Sequence, residues 1–159
     1  LSTLLTPLAA QAQALTDYAE NRLVDAVFRG QALGAPATFY VALFTTACSD
    51  SAAGTEVSTS GTGYARAAVT SSLANWAGTQ SAGSTTASSG TGGQTSNNAT
   101  ITIGSATTTS WGSVSHFGLF DAVTAGNMWV CQALTSAKTI NAGDALPAFN
   151  AGALTVTFQ

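Results

Sequence analysis

The chain has 159 residues, 45% of them apolar and only 7% charged, with a net charge of −3; an average domain is about 25% charged. That length suits one domain with a core of its own, so neither disulfides nor a metal is required for folding. The four basic residues, Arg22, Arg29, Arg66 and Lys138, are scattered, which excludes the clustered cations that nucleic acid needs, and no run of about 18 apolar residues exists to span a membrane.

The first 16 residues read as an uncharged arm, extended or loosely helical, with Leu4, Leu5, Leu8 and Leu15 as its apolar contacts. AQAQA resembles a small-residue cleavage site, but no basic residue precedes it and Pro7 interrupts the apolar run. A helix is expected over 17–29. Asp17 is the expected N-cap, with Glu20 three residues later. Ala19, Leu23, Ala26 and Val27 fall on one face, with Val24 and Phe28 beside them. Asp25 and Arg29 form a favourable i,i+4 pair, and Gly30 ends the element.

From residue 36 onward the pattern is β, a single domain over 17–159. TFYVALF at 38–44 is almost continuously apolar and reads as a buried strand. A second strand is expected over 64–71, continuing after a bend into 73–76. Residues 78–96 are almost wholly Gly, Ser, Thr, Ala and Gln, the composition of a flexible surface loop. Strands resume at 99–103, 111–120 and 128–134, with short ones near 138–140 and 154–158. The expectation is therefore a mainly β fold: a single-domain, jelly-roll-like sandwich or barrel of about seven or eight strands behind one N-terminal helix.

Catalytic chemistry is hard to assemble from these residues. His116 is the only histidine, with Ser113, Ser115 and Asp121 near it in sequence. Strand parity puts Val114, His116, Gly118 and Phe120 on one face, and both serines and Asp121 on the other, which argues against a triad. Asp50, Glu56, Asp121 and Asp144 lie in expected turns, where acidic residues are ordinary. No catalytic residue, metal ligand or cofactor-binding residue is assigned. Cys48 and Cys131 make no metal pattern and are expected as free, partly buried thiols. Trp76, at the border of the uncharged run, is the aromatic residue best placed to anchor a partner. With Thr79, Gln80 and the four arm leucines it makes up the candidate interface.

DYAENRLVDAVFRGQ, APATFYVALFT, GTEV and GTGYAR, then NNATITI, WGSVSHFGLFDA, ALTSAKTINAGD and AGALTVTF, occur in this order. Together they resemble a family of small tailed-bacteriophage virion proteins, often labelled tail-fibre proteins, whose relatives in short-tailed phages look like capsid cement or decoration proteins. The resemblance covers about residues 17–158 apart from the Gly/Ser/Thr run. It implies a jelly-roll-like fold, self-association and no enzymatic activity.

The leading expectation is a cement protein, made in the host cytoplasm, that binds the major capsid protein on the outside of the phage head. It would stabilise the shell through buried area rather than chemistry. The alternative is a tail or tail-fibre component that binds a host glycan or another tail protein; a secreted carbohydrate-active enzyme is a remote third. A homodimer is expected on symmetry grounds, with a trimer open.

Overall fold

The computed structural model describes residues 15–158. Its centre is a four-stranded antiparallel sheet in the order β2-β1-β5-β6, built from β1 (Thr38–Phe44), β2 (Ala67–Thr70), β5 (Gly112–Phe120) and β6 (Met128–Ile140). Two ribbons close the remaining sides: β3 (Gln94–Ser96) with β8 (Thr155–Thr157), and β4 (Ile101–Thr102) with β7 (Ala148–Phe149). The described residues are mainly β with one helix, α1 (Asp17–Phe28).

The apolar run of β1 is explained by burial on both faces. Val41 and Leu43 point into the main core with Phe117, Leu119, Val130 and Phe149. Ala42 and Phe44 point the other way, into a smaller cluster with Phe120, Met128 and Cys131. That second face lies under the segment that follows β1, and the cover is covalent. Cys48 and Cys131 form a disulfide, with Cα atoms 5.9 Å apart, which corrects the expectation of free thiols. The two positions meet because β1, β5 and β6 are adjacent: Cys131 pairs across the sheet with Gly118, and Gly118 with Ala42. Gly118 is needed there, since a Cβ would lie 2.9 Å from the Phe44 ring and 3.1 Å from the Met128 sulfur.

β5 departs from simple alternation. Its register against β6 shifts between Val114 and His116, so Val114 joins Phe117 and Leu119 in the main core instead of sharing a face with His116. Across this shift β5 advances two positions while β6 advances five, from Lys138 to Ala133, so the extra residues lie in β6 and the irregularity breaks side-chain alternation in β5. β6 runs unbroken where two separate strands were expected, because its far end pairs with the start of β5: Lys138 with Val114 and Ile140 with Gly112.

Residues 73–75 form a turn rather than a strand extension, and Trp76 makes only an isolated bridge to Asn97. Gln94–Ser96, the last residues of the Gly/Ser/Thr run, form a strand, and β7 falls where none was expected. Asn97 is fully buried and joins the two ribbons. Its side-chain amide donates to the carbonyls of Ala99 and Asn150 at 2.8 Å and accepts from Leu154 N–H at 2.8 Å. Those bonds satisfy buried backbone groups where neither ribbon is long enough to do so alone.

The cap of α1 is Thr16, not Asp17. Thr16 has extended backbone, accepts from Ala19 N–H at 3.4 Å and donates its hydroxyl to the Met128 carbonyl. Leu15 bridges to Val130, and Thr16 N–H donates to the Trp129 carbonyl at 3.1 Å. The helix therefore starts where the chain leaves the edge of β6. Gly30, at φ +68°, follows its end, and Asp25 and Arg29 pair at 2.7 Å as expected.

The side α1 turns to the sheet is unexpected. Ala19 is its one buried residue, flanked by half-buried Tyr18, Arg22 and Ala26, with Tyr18 edge-on to Trp129 at 5.5 Å. Leu23, Val24, Val27 and Phe28 face outward, 44%, 49%, 61% and 80% exposed.

Candidate interaction surface

A groove of about 540 Å³ opens between the main sheet and the β3–β8 ribbon. Its floor is Leu119, Val130 and Val156, three residues of the main core. Phe39 and Trp76 form a wall, their rings edge-to-face at 6.3 Å, and Leu73 and Phe158 stand at the rim, each more than half exposed. Ser71, Ser72, Thr79, Ser88 and Thr95 supply hydroxyls around it, and no lining residue is charged. Such a groove favours apolar or neutral polar groups, because a charge entering it would lose water without gaining a counter-ion.

Trp76 is half-buried, and its indole nitrogen is buried without a hydrogen-bond partner. It is held by its place in the wall: its backbone N–H donates to the Ser72 carbonyl at 3.0 Å, and it bridges to Asn97. Thr79 lines the groove, with its hydroxyl donating to the Ser89 carbonyl at 2.9 Å. Gln80 does not line it. Its side chain turns into the neighbouring loop, with Nε2 2.6 Å from Ser84 Oγ and 2.7 Å from Thr86 Oγ1, and Oε1 accepting from Ser89 N–H at 3.2 Å. Gln80 therefore orders the uncharged run. Leu15 is half-buried against the core beside Val130 and does not line this groove. Leu4, Leu5 and Leu8 lie outside the described residues.

Elsewhere several titratable groups are engaged in holding the fold. The Ser115 hydroxyl and His116 Nδ1 share a 2.9 Å hydrogen bond, a contact that strand parity disfavours and that lies at the register shift between β5 and β6. The nearby carboxylate of Asp121 does not complete a triad. It accepts from the backbone N–H and side-chain amide of Asn127 at 2.7 and 2.9 Å, closing the β5–β6 turn. Burial pulls the His116 imidazole below its usual range. Asp144 caps another turn, accepting from Asn141 N–H at 2.7 Å.

Sequence reasoning missed the largest polar cluster. Glu56 receives two hydrogen bonds from Arg66 and a third, at 2.7 Å, from the Tyr64 hydroxyl. That hydroxyl accepts from Leu43 N–H at 3.0 Å, and burial pushes its pKa well above the usual phenol range. The signal was present in GTEV and GTGYAR, which carry one acid and one base; Glu56 bridges to Phe44 at the end of β1, and Arg66 stands just before β2. Among the described residues, no group of three His, Cys, Asp or Glu side chains could hold a metal ion, and no helix is long and apolar enough to cross a membrane.

A family model, that of the podophage GP4 fiber I protein gp80, matches residues 14–157. No curated protein matches the chain.

Proposed function

From a chain that belongs to the podophage GP4 fiber I protein gp80 family, we propose a structural component of the phage tail that acts by contact rather than by turnover. The match over nearly the whole described chain carries this reading. It makes the protein a phage virion protein of the fibre type. The sequence resemblance ranks a cement role on the head first, but the fibre name of the matching family favours the tail, and we adopt that alternative.

In this reading the groove beside Trp76 receives apolar side chains of another tail protein. Its support is the uncharged lining, the aromatic wall and the exposed rim of Leu73 and Phe158. Exposed aromatic and aliphatic groups around a concavity are the usual anchors of such contacts. The absence of charge suits a permanent structural joint better than a rapid, electrostatically steered encounter.

Electron microscopy of intact particles tests the assignment. A tail component is expected at one vertex in a few to a few dozen copies. Hundreds of copies spread over the shell would sink the tail reading and restore the cement one.

A further inference from the structure

We propose that the Cys48–Cys131 bond is a redox latch: as a dithiol the chain keeps its fold with residues 47–53 open, and oxidation after the particle leaves the host closes them over the outer face of the main sheet. This inference rests on the disulfide and on the virion family, not on the tail assignment. The latch is the tip of a hairpin that continues β1. Its stem is held without the cysteines: Phe44 bridges to Glu56, Thr45 N–H donates to the Thr55 carbonyl at 2.9 Å, and Val57 N–H donates to the Leu43 carbonyl at 3.0 Å. The tip is held differently. Of residues 47–53 only Cys48 is even partly withdrawn from solvent. Among the described residues, one backbone–backbone hydrogen bond ties the tip to the fold beyond its own hairpin, from Asp17 N–H to the Asp50 carbonyl at 3.0 Å. A hollow of about 400 Å³ opens where residues 50–53 meet Phe120, Met128 and the start of α1, so the tip is not closely packed there. A segment with so few contacts opens at little free-energy cost once its covalent tie is cut.

Opening changes two places at once. Phe120 and Met128, 5% and 8% exposed with the tip closed, gain access to water. Asp17 N–H, at the first residue of α1 where no carbonyl within the helix can satisfy it, loses its partner. The bond is also placed to be worked from outside. Cys131 is buried in β6, whereas Cys48 is only half-buried, so exchange enters at Cys48. On closing, the Cys48 thiolate attacks one sulfur of a low-molecular-weight disulfide and expels one small thiol. The Cys131 thiolate then attacks the mixed disulfide at Cys48 and expels the second. The two protein thiols are oxidised, the small disulfide is reduced by the same two electrons, and the two thiol protons end on the small thiols. A phage virion protein is made in a cell that keeps thiols reduced and acts in a medium that does not, so one chain meets the two conditions in that order.

Limited digestion of the full chain with proteinase K, in disulfide and dithiol forms, tests the latch, with the cut sites read by mass spectrometry. The dithiol chain is expected to keep the circular dichroism of the disulfide form and to be cut within residues 47–53 at least tenfold faster. Oxidised glutathione should restore the slow rate. Equal rates in the two forms overturn the proposal. So does a dithiol chain that loses its circular dichroism or is cut throughout, because the bond would then hold the whole fold rather than its tip. The order of events is tested in infected cells given membrane-permeable N-ethylmaleimide before lysis. Particle-bound chain should carry the reagent on both cysteines, and particles released without it should carry the bond. A bond already formed inside the cell overturns the timing. None of these outcomes depends on where the protein sits in the particle.

Discussion

The Arg66 guanidinium grips the Glu56 carboxylate through two parallel hydrogen bonds, Nε to Oε1 at 2.8 Å and Nη2 to Oε2 at 2.7 Å. The same guanidinium donates to the carbonyls of Ala122 and Ala125 at 2.9 Å and stacks 3.8 Å from the centre of the Phe120 ring. One side chain thus ties the segment between β1 and β2 to the β5–β6 turn. The side chains are 6% and 28% exposed for Arg66 and Glu56, so the pair is largely withdrawn from water. Removing the acid strands a buried cation, a loss of about 3 kcal/mol. Glu56→Ala should therefore lower the unfolding free energy by about that amount in urea titration. Arg66→Lys should fail to restore stability, because an ammonium cannot reproduce the fork. A change below about 0.5 kcal/mol would show the pair to be no more than a surface ion pair.

Reduction should destabilise the protein markedly. The Cys48–Cys131 bond closes a loop of 83 positions, and opening it frees the unfolded chain by roughly 4.5 kcal/mol on the loop-entropy account. Adding a reductant, or replacing both cysteines with serine, should lower the denaturant midpoint to a similar degree. The double variant should then ignore reductant. Identical midpoints with and without reductant in the wild type would show that the bond contributes nothing to stability.

Stability should also fall on mild acidification through His116. Burial holds its folded-state pKa below the ordinary value of 6.5, so the unfolded chain takes up the proton first. As pH drops through about 6.5 the unfolded state binds more protons than the folded one, and stability declines until the folded-state pKa is passed. Above that window the contribution is flat. His116→Gln should remove this part of the pH dependence between pH 7.5 and 5, measured as the thermal midpoint. A wild type whose midpoint rises on acidification would contradict the sign.

The groove can be tested without disturbing the core. Leu73→Glu places a charge on its exposed rim, and Val123→Glu places the same charge on a residue exposed to the same degree that does not line it. Both variants should fold with midpoints within about 0.5 kcal/mol of wild type. Only Leu73→Glu should lose incorporation into particles, read by quantitative blotting of purified virions. Equal incorporation of the two would remove the groove from the assembly contact.

Read as sequence, the chain determines its class, its helix and its main strands. The β1 run of TFYVALF, the alternation around Ile101 and Ile103 and the helical spacing from Asp17 are local patterns, and local backbone preference with burial suffices to interpret them. The uncharged border around Trp76 is legible for the same reason, since composition alone marks it. What needed tertiary structure were the facts that depend on which distant segments become neighbours. The Cys48–Cys131 bond follows from strand order, and the Val114 reversal and the Ser115–His116 contact lie at one register shift between β5 and β6. The Glu56–Arg66 fork requires the segment bridged to Phe44 to meet the start of β2. α1 shows the difference most directly. Its apolar face is evident from spacing, but periodicity cannot say whether that face turns inward. The side of α1 that meets β6 carries Ala19 and Tyr18, so Leu23, Val24, Val27 and Phe28 are left facing outward.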